Sequence, residues 1–205
     1  MNDLASNVRW TARLEKYFAD TGERCSGLNW LHKKSEERYS RLSAYTDIPV
    51  IVLGVVNGSV SIGSSTLFPD PKFASIGVGL IALFTAIIST VSSYFSWAKR
   101  AEGHRISAIH YSKLNRFLSV QLSLPRSERM TPADLLRYTK ETYDKLAEVS
   151  PLIAQEVIQE FKNKFTNSDA YKHLSMPSET NGLEPIEVYT EDDEKVENIV
   201  VVDKE

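Results

Sequence analysis

Few residues in this chain have the type and spacing to do chemistry. His104 and His110 lie six apart, so a helix turns them to different sides and they make a poor metal pair, while His32 and His173 stand isolated. The single cysteine, Cys25, rules out an intrachain disulfide framework and reads as a reduced, cytoplasm-facing thiol. No glycine-rich phosphate loop and no Gly-x-Ser-x-Gly elbow occurs. Glu36-Glu37 and Asp192-Asp193-Glu194 read as solvated charge. The expectation is a protein that is not an enzyme and that uses neither cofactor nor metal. One polar group stands out by where it sits. Asn57 lies near the centre of an uncharged stretch, where an amide must find a partner or face water.

That stretch and its neighbour set the class. No Asp, Glu, Lys, Arg or His occurs from Ile48 to Pro69, nor from Phe73 to Ala98, and only Asp70-Pro71-Lys72 breaks the sequence between them. About 20 mainly apolar helical residues cross a hydrocarbon core. Each stretch is long enough, so the chain is expected to be an all-α membrane protein: a two-helix transmembrane hairpin with a cytoplasmic helical bundle. A buried hairpin in a soluble protein is the alternative, but such helices are usually shorter and keep a polar face.

Charge gives the orientation. Residues 166–205 hold eleven acids against three bases, whereas the first 165 hold 21 bases against 16 acids. Lys33, Lys34, Arg38 and Arg41 precede the first span; Lys99, Arg100, Arg105, Lys113 and Arg116 follow the second; the connecting loop has only Lys72. By the positive-inside rule both termini face the cytoplasm of a multi-pass membrane protein. Lys99, Arg100 and Arg105 are expected to face headgroups, making an anionic lipid bilayer, and no nucleic acid, the partner of the basic body. Met1 to Trp10 lacks an apolar signal core, so the first span is expected to serve as the insertion signal.

Four regions follow: 1–46, an N-terminal cytoplasmic helical region; 47–98, the hairpin; 99–165, C-terminal cytoplasmic helices; and 166–205, an acidic disordered tail. Helix-like spacing of Val8, Leu14, Phe18, Leu28, Leu31, Tyr39 and Leu42 predicts helix over 7–45, with a kink or break at Gly22 and Gly27. Pro49 falls in the first turn of span one, and span two is expected to run straight on through 99–122. Thr131-Pro132-Ala133-Asp134 predicts a helix start, with Thr131 as cap and Pro132 first. Ser150-Pro151 kinks that helix or caps a last one over 151–165. Ile199-Val200-Val201-Val202 in the tail would suit addition of a strand to a partner's sheet edge.

Within the spans, Gly54, Gly58, Ser61 and Ser65 share one face of the first, and Ser75, Gly79, Ala82, Ala86, Ser89 and Ser93 form a stripe on the second. Such helix-packing stripes let backbones approach closely. They either face each other within one hairpin or serve contact and pore lining in a homo-oligomer. Asn57, with Ser61, Ser64 and Ser65, makes up the pore-lining set; as interhelical glue, Asn57 would contribute about 0.6–2 kcal/mol. The strip from Arg100 to Phe117 either snorkels over headgroups or packs on residues 28–45, with Glu36, Glu37 and His104 meeting Arg105 or Lys33.

Trp30-Leu31-His32-Lys33-Lys34-Ser35 with Tyr39 and Tyr45, the tight hairpin, and Ala101-Glu102-Gly103-His104-Arg105 with Tyr111, Leu114 and Arg116 resemble the SLATT family over about residues 10–165. These are the SMODS- and SLOG-associating two-transmembrane effector domains. The resemblance implies an oligomeric membrane effector that forms pores in conflict systems when a cytoplasmic sensor protein fires. No sensor domain is fused here, and the acidic tail is an addition. The expected function is therefore an oligomeric pore or ion channel; a non-conducting, membrane-anchored scaffold that recruits cytoplasmic partners is the alternative.

Overall fold

The computed structural model describes residues 8–67, 71–166 and 173–181. They are helical, with no strand among them. The order is α1 (Ala12–Leu67), α2 (Pro71–Phe95), α3 (Trp97–Ser123), a 3-10 turn (Arg126–Glu128), α4 (Pro132–Val149), α5 (Gln155–Phe161) with a π-turn (Lys162–Thr166), and the short α6 (Ser178–Asn181). Two compact units divide the chain: residues 1–31 with 107–205, and residues 32–106.

The first unit closes around one core. Phe18, Cys25, Leu28 and Leu31 recur on α1 at intervals of seven and three, and Tyr111, Leu114 and Leu118 on α3 at intervals of three and four. Leu135 and Leu146 of α4 and Val157 and Phe161 of α5 complete it. Burial pushes the Cys25 thiol up to about 12, so it is inert. α1 does not break at Gly22 or Gly27 and is one helix of 56 residues. Both glycines serve close approach instead. A Cβ on Gly22 would stand 3.4 Å from Asn115 Oδ1, and one on Gly27 would lie 2.5 Å from Pro177 Cγ.

Thr131 caps α4 as its sequence predicts, accepting from the Asp134 amide at 3.3 Å with Pro132 in the first turn. The loop before it is tied to α1. Arg126 donates twice to Glu15, at 2.9 and 2.8 Å, and Arg129 also donates to that carboxylate and stacks over Trp10.

A featureless tail from Thr166 is corrected for residues 173–181. Ser175 donates its amide to Glu23 Oε2 at 2.7 Å, and Pro177 is fully buried in the Gly27 notch. Thr180, also buried, donates to the Pro177 carbonyl. Leu174, Met176 and Pro177 share a groove of about 320 Å³ with Trp30, Phe161 and Phe165. Three apolar side chains offset the ordering cost of a short segment that composition alone reads as disordered. Gly27→Ala should lift this strap, because the proline ring cannot yield by the required distance. We expect cleavage around Leu174–Met176 in limited proteolysis to quicken by about tenfold or more, the equivalent of about 1.4 kcal/mol. An unchanged cleavage rate would contradict the notch. The remainder of the tail, including Ile199–Val202, lies outside the described residues.

In the second unit, α1 from Thr46 onward lies against α2 as an antiparallel pair. Ser92 donates to Asp47 Oδ1 at 3.1 Å and Thr46 lies 3.3 Å from Ser92 Oγ, both contacts near the open end of the hairpin. Pro49 is interior to α1, not at a helix start, because the helix does not stop before the apolar run. Membrane-type helices tolerate such a proline. The second and third helices are not one straight rod either. Ser96 interrupts them with φ of 50°, a left-handed value that costs a non-glycine residue energy. Its hydroxyl bonds back to the Ser93 carbonyl at 2.9 Å, a local competitor to regular helix, while the Phe95 and Trp97 rings stack 5.1 Å apart across it.

Candidate functional site

Two helices of the chain are long and apolar enough to cross a membrane. Their apolar side chains point outward: Ile51, Val55, Leu80, Leu83 and Phe84 are each 60% or more exposed, in contrast to Leu28 of the first unit at 1%. A water-soluble core hairpin has the opposite pattern. Hydroxyls along these helices are satisfied locally. Ser59 donates to the Val55 carbonyl, Thr85 to Ile81 and Thr90 to Ala86, at 2.7–2.9 Å. Such back-bonding hides polar groups where water is scarce.

The rotation of the pair decides which faces meet. The less exposed rows are Thr46, Pro49, Val50, Leu53, Asn57 and Val60 on α1, and Ala74, Val78, Ile81, Thr85, Ile88 and Ser92 on α2. Leu53 shares an apolar groove with Ile81 and Phe84. The small-residue stripes do not form this seam. Gly54, Gly58 and Gly79 have nothing within 4 Å of an added Cβ, and Ser61, Ser75, Ala82, Ala86 and Ser93 are exposed; among the described members only Ser89 is half-buried. The Asp47–Ser92–Thr46 contact lies in phase with the less exposed rows of both helices. Counting onward in threes and fours from it brings the bulkier rows together and turns the small ones out. Asn57 therefore belongs to the seam, apart from the exposed Ser61. Its Oδ1 is occluded and has no hydrogen-bond partner. The side chains of Ser64 and Ser65 lie outside the described residues.

Below the hairpin the structure assembles a group that sequence reading missed. His32 of α1 and His104 of α3, 72 residues apart, place their Nδ1 atoms 2.9 Å from one another, and both rings are about 1% exposed. Tyr39 stacks on His104 with ring planes 9° apart and centroids 5.4 Å apart, and the Arg100 guanidinium stands 6.0 Å from the Tyr39 centroid. Ser35, beside the pair in sequence, is also fully buried. Both histidines are pushed down to about 4. Burial is the main cause for each; the partner ring adds to it for His32 and the Arg100 charge for His104. A zinc ion bonds imidazole nitrogen at about 2.0–2.1 Å, and two such bonds at a tetrahedral angle hold the nitrogens about 3.3 Å apart. At 2.9 Å the pair fits a shared proton better than a metal. Among the described residues no three His, Cys, Asp or Glu side chains gather for one.

The basic strip takes its own arrangement. Arg105 is held by Glu102 through bonds of 2.7 and 2.6 Å with the Glu36 charge also acting on it, Glu37 takes Lys34 at 2.9 Å, and His104 meets His32. Lys99 and Arg100 are exposed. No family model, curated protein or solved structure matches this chain.

Proposed function

We propose that the chain inserts its hairpin into a lipid bilayer with both ends in the cytoplasm, assembles with further copies of itself, and conducts ions. The carrying observation is the outward apolar surface of α1 and α2. Fully burying a side chain such as Leu, Ile, Val or Phe is favourable by about 1.5–3 kcal/mol. Left in water, this surface would make the chain aggregate; in hydrocarbon it is at home. The outward stripe of Gly54, Gly58 and Ser61 on α1, and that of Ser75, Gly79, Ala82 and Ala86 on α2, offer a neighbouring copy close backbone approach. Conduction rests on this assembly and on the resemblance to the SLATT effectors, which also suggests a cytoplasmic sensor as trigger.

A non-conducting anchor is the second reading, and the seam position of Asn57 favours it, because that amide does not face outward from the hairpin. Purified protein in planar bilayers separates the two. Channel currents from a verified oligomer support the pore, and a silent oligomer supports the scaffold. Asn57→Leu refines the test. Removing an amide whose oxygen is occluded and unbonded should stabilise the hairpin by about 1–3 kcal/mol, read as a higher unfolding midpoint in detergent, with unitary current unchanged. A shifted current or ion preference would return Asn57 to the conduit.

A further inference from the structure

The chemistry of two facing imidazoles limits how many protons their contact can hold. In a neutral pair one Nδ1 carries its proton and donates, and the other accepts with its lone pair while its own proton sits on Nε2. One added proton can go to the donor ring's Nε2, leaving the Nδ1–H···Nδ1 bond in place. A second must go to the accepting Nδ1. Two N–H groups then point at each other across 2.9 Å, in a site that water scarcely enters, and the bond becomes a repulsion.

We propose that His32 and His104 form a proton-binding latch, closed while the rings share one proton between their Nδ1 atoms and open when both Nδ1 atoms are protonated. The latch joins α1 to α3 directly beneath the hairpin, so its opening frees α1, which carries the first apolar stretch, from α3, which follows the second. As regulation of the hairpin it rests on the membrane reading; the pairing and its opening do not.

The surroundings favour a sharp response. Among the charges acting on the pair are those the rings themselves acquire and that of Arg100 on α3, all of one sign. Tyr39 on α1 covers His104 with its ring face. The carboxylates nearest the pair along these two helices are directed to bases: Glu37 to Lys34, Glu102 to Arg105, with Glu36 also acting on Arg105.

Spin labels on Ser40→Cys and Lys99→Cys, both exposed positions flanking the pair, report the separation of α1 and α3 in the full chain in detergent. Buried Cys25 stays unlabelled. The expected result is a narrow label–label distance near neutral pH that broadens and lengthens as pH falls to about 3.5, and a distance that stays narrow over the same range in His32→Phe/His104→Phe. Should the phenylalanine pair not fold, His104→Gln serves, since an amide keeps a hydrogen bond to His32 but cannot acquire charge; it too should abolish the transition. No lengthening in the parent chain, or the same transition in a folded variant, overturns the latch. Nitrogen-15 spectra of the parent add a direct readout: at neutral pH one ring should carry its proton on Nδ1 and the other on Nε2, and two Nε2–H rings would refute the pairing. Bilayer currents recorded in parallel keep the two ideas apart. A latch that opens on acidification in a silent oligomer sinks the pore alone, whereas currents without any change in distance sink the latch alone.

Discussion

Leu83→Arg is expected to remove most of the protein from the membrane. Leu83 is 60% exposed on α2, near the middle of the second uncharged stretch. In a bilayer that exposure is to hydrocarbon. On insertion scales leucine at a helix centre is favourable by up to about 0.6 kcal/mol and arginine unfavourable by about 2.5–3.5 kcal/mol. The difference of roughly 3–4 kcal/mol corresponds to a fall of more than a hundredfold in the ratio of inserted to uninserted chain. Tyr138→Arg supplies the control, since Tyr138 is also exposed but belongs to α4, well outside both uncharged stretches. Glycosylation-site or protease-protection mapping in microsomes reads both. Equal insertion of the Leu83 variant and the parent would mean that α2 does not meet lipid at that position.

Stability should fall on acidification from about pH 6.5 to about pH 4, and His32 and His104 should account for the slope. The sign follows from linkage. Both histidines titrate lower in the folded chain, at about 4 against 6.5, so below pH 6.5 the unfolded state binds more protons than the folded one. The stability they contribute is complete above 6.5, declines as pH falls, and is fully lost below about 4. At 1.36 kcal/mol per pH unit the ceiling is of order 3 kcal/mol for each ring. Glu15, whose carboxyl Arg126 and Arg129 hold below the ordinary range, acts lower: its share is lost only below about pH 4.5. Denaturant midpoints taken against pH for the parent and for His32→Phe/His104→Phe isolate the histidine contribution as a difference. A parent curve parallel to the variant between pH 6.5 and 4 would show that neither ring is shifted.

Much of the architecture could be read before any coordinates. The uncharged stretches Ile48–Pro69 and Phe73–Ala98 mark the two apolar helices, because the absence of charge over that length is a one-dimensional property. Thr131-Pro132 marks the start of α4, because a cap is made by residues three apart. Leu28, Leu31, Leu114 and Leu118 announce themselves as core by their spacing. Gly22 and Gly27 misled, because a glycine needed for close approach looks the same in sequence as one that ends a helix. Pro177 was hidden within an acidic stretch for a similar reason: the notch that receives it lies on a helix 150 residues earlier.

The histidine pair shows where that boundary falls. His32 follows the buried series Phe18, Cys25, Leu28 and Leu31, and His104 lies between buried Ala101 and Ala108, so each carried a signal of burial. That they meet each other depends on how α1 and α3 are aligned along their length, which local pattern does not encode. The same holds for Asn57 and for the outward glycines, whose facing depends on how α1 and α2 are rotated against each other. Composition and periodicity, acting between neighbours along the chain, determined that this protein is helical with two long apolar helices and a basic body. Only tertiary structure decided which faces meet and which residues share a proton, because the phase and register of one helix against another arise from contacts between residues tens of positions apart.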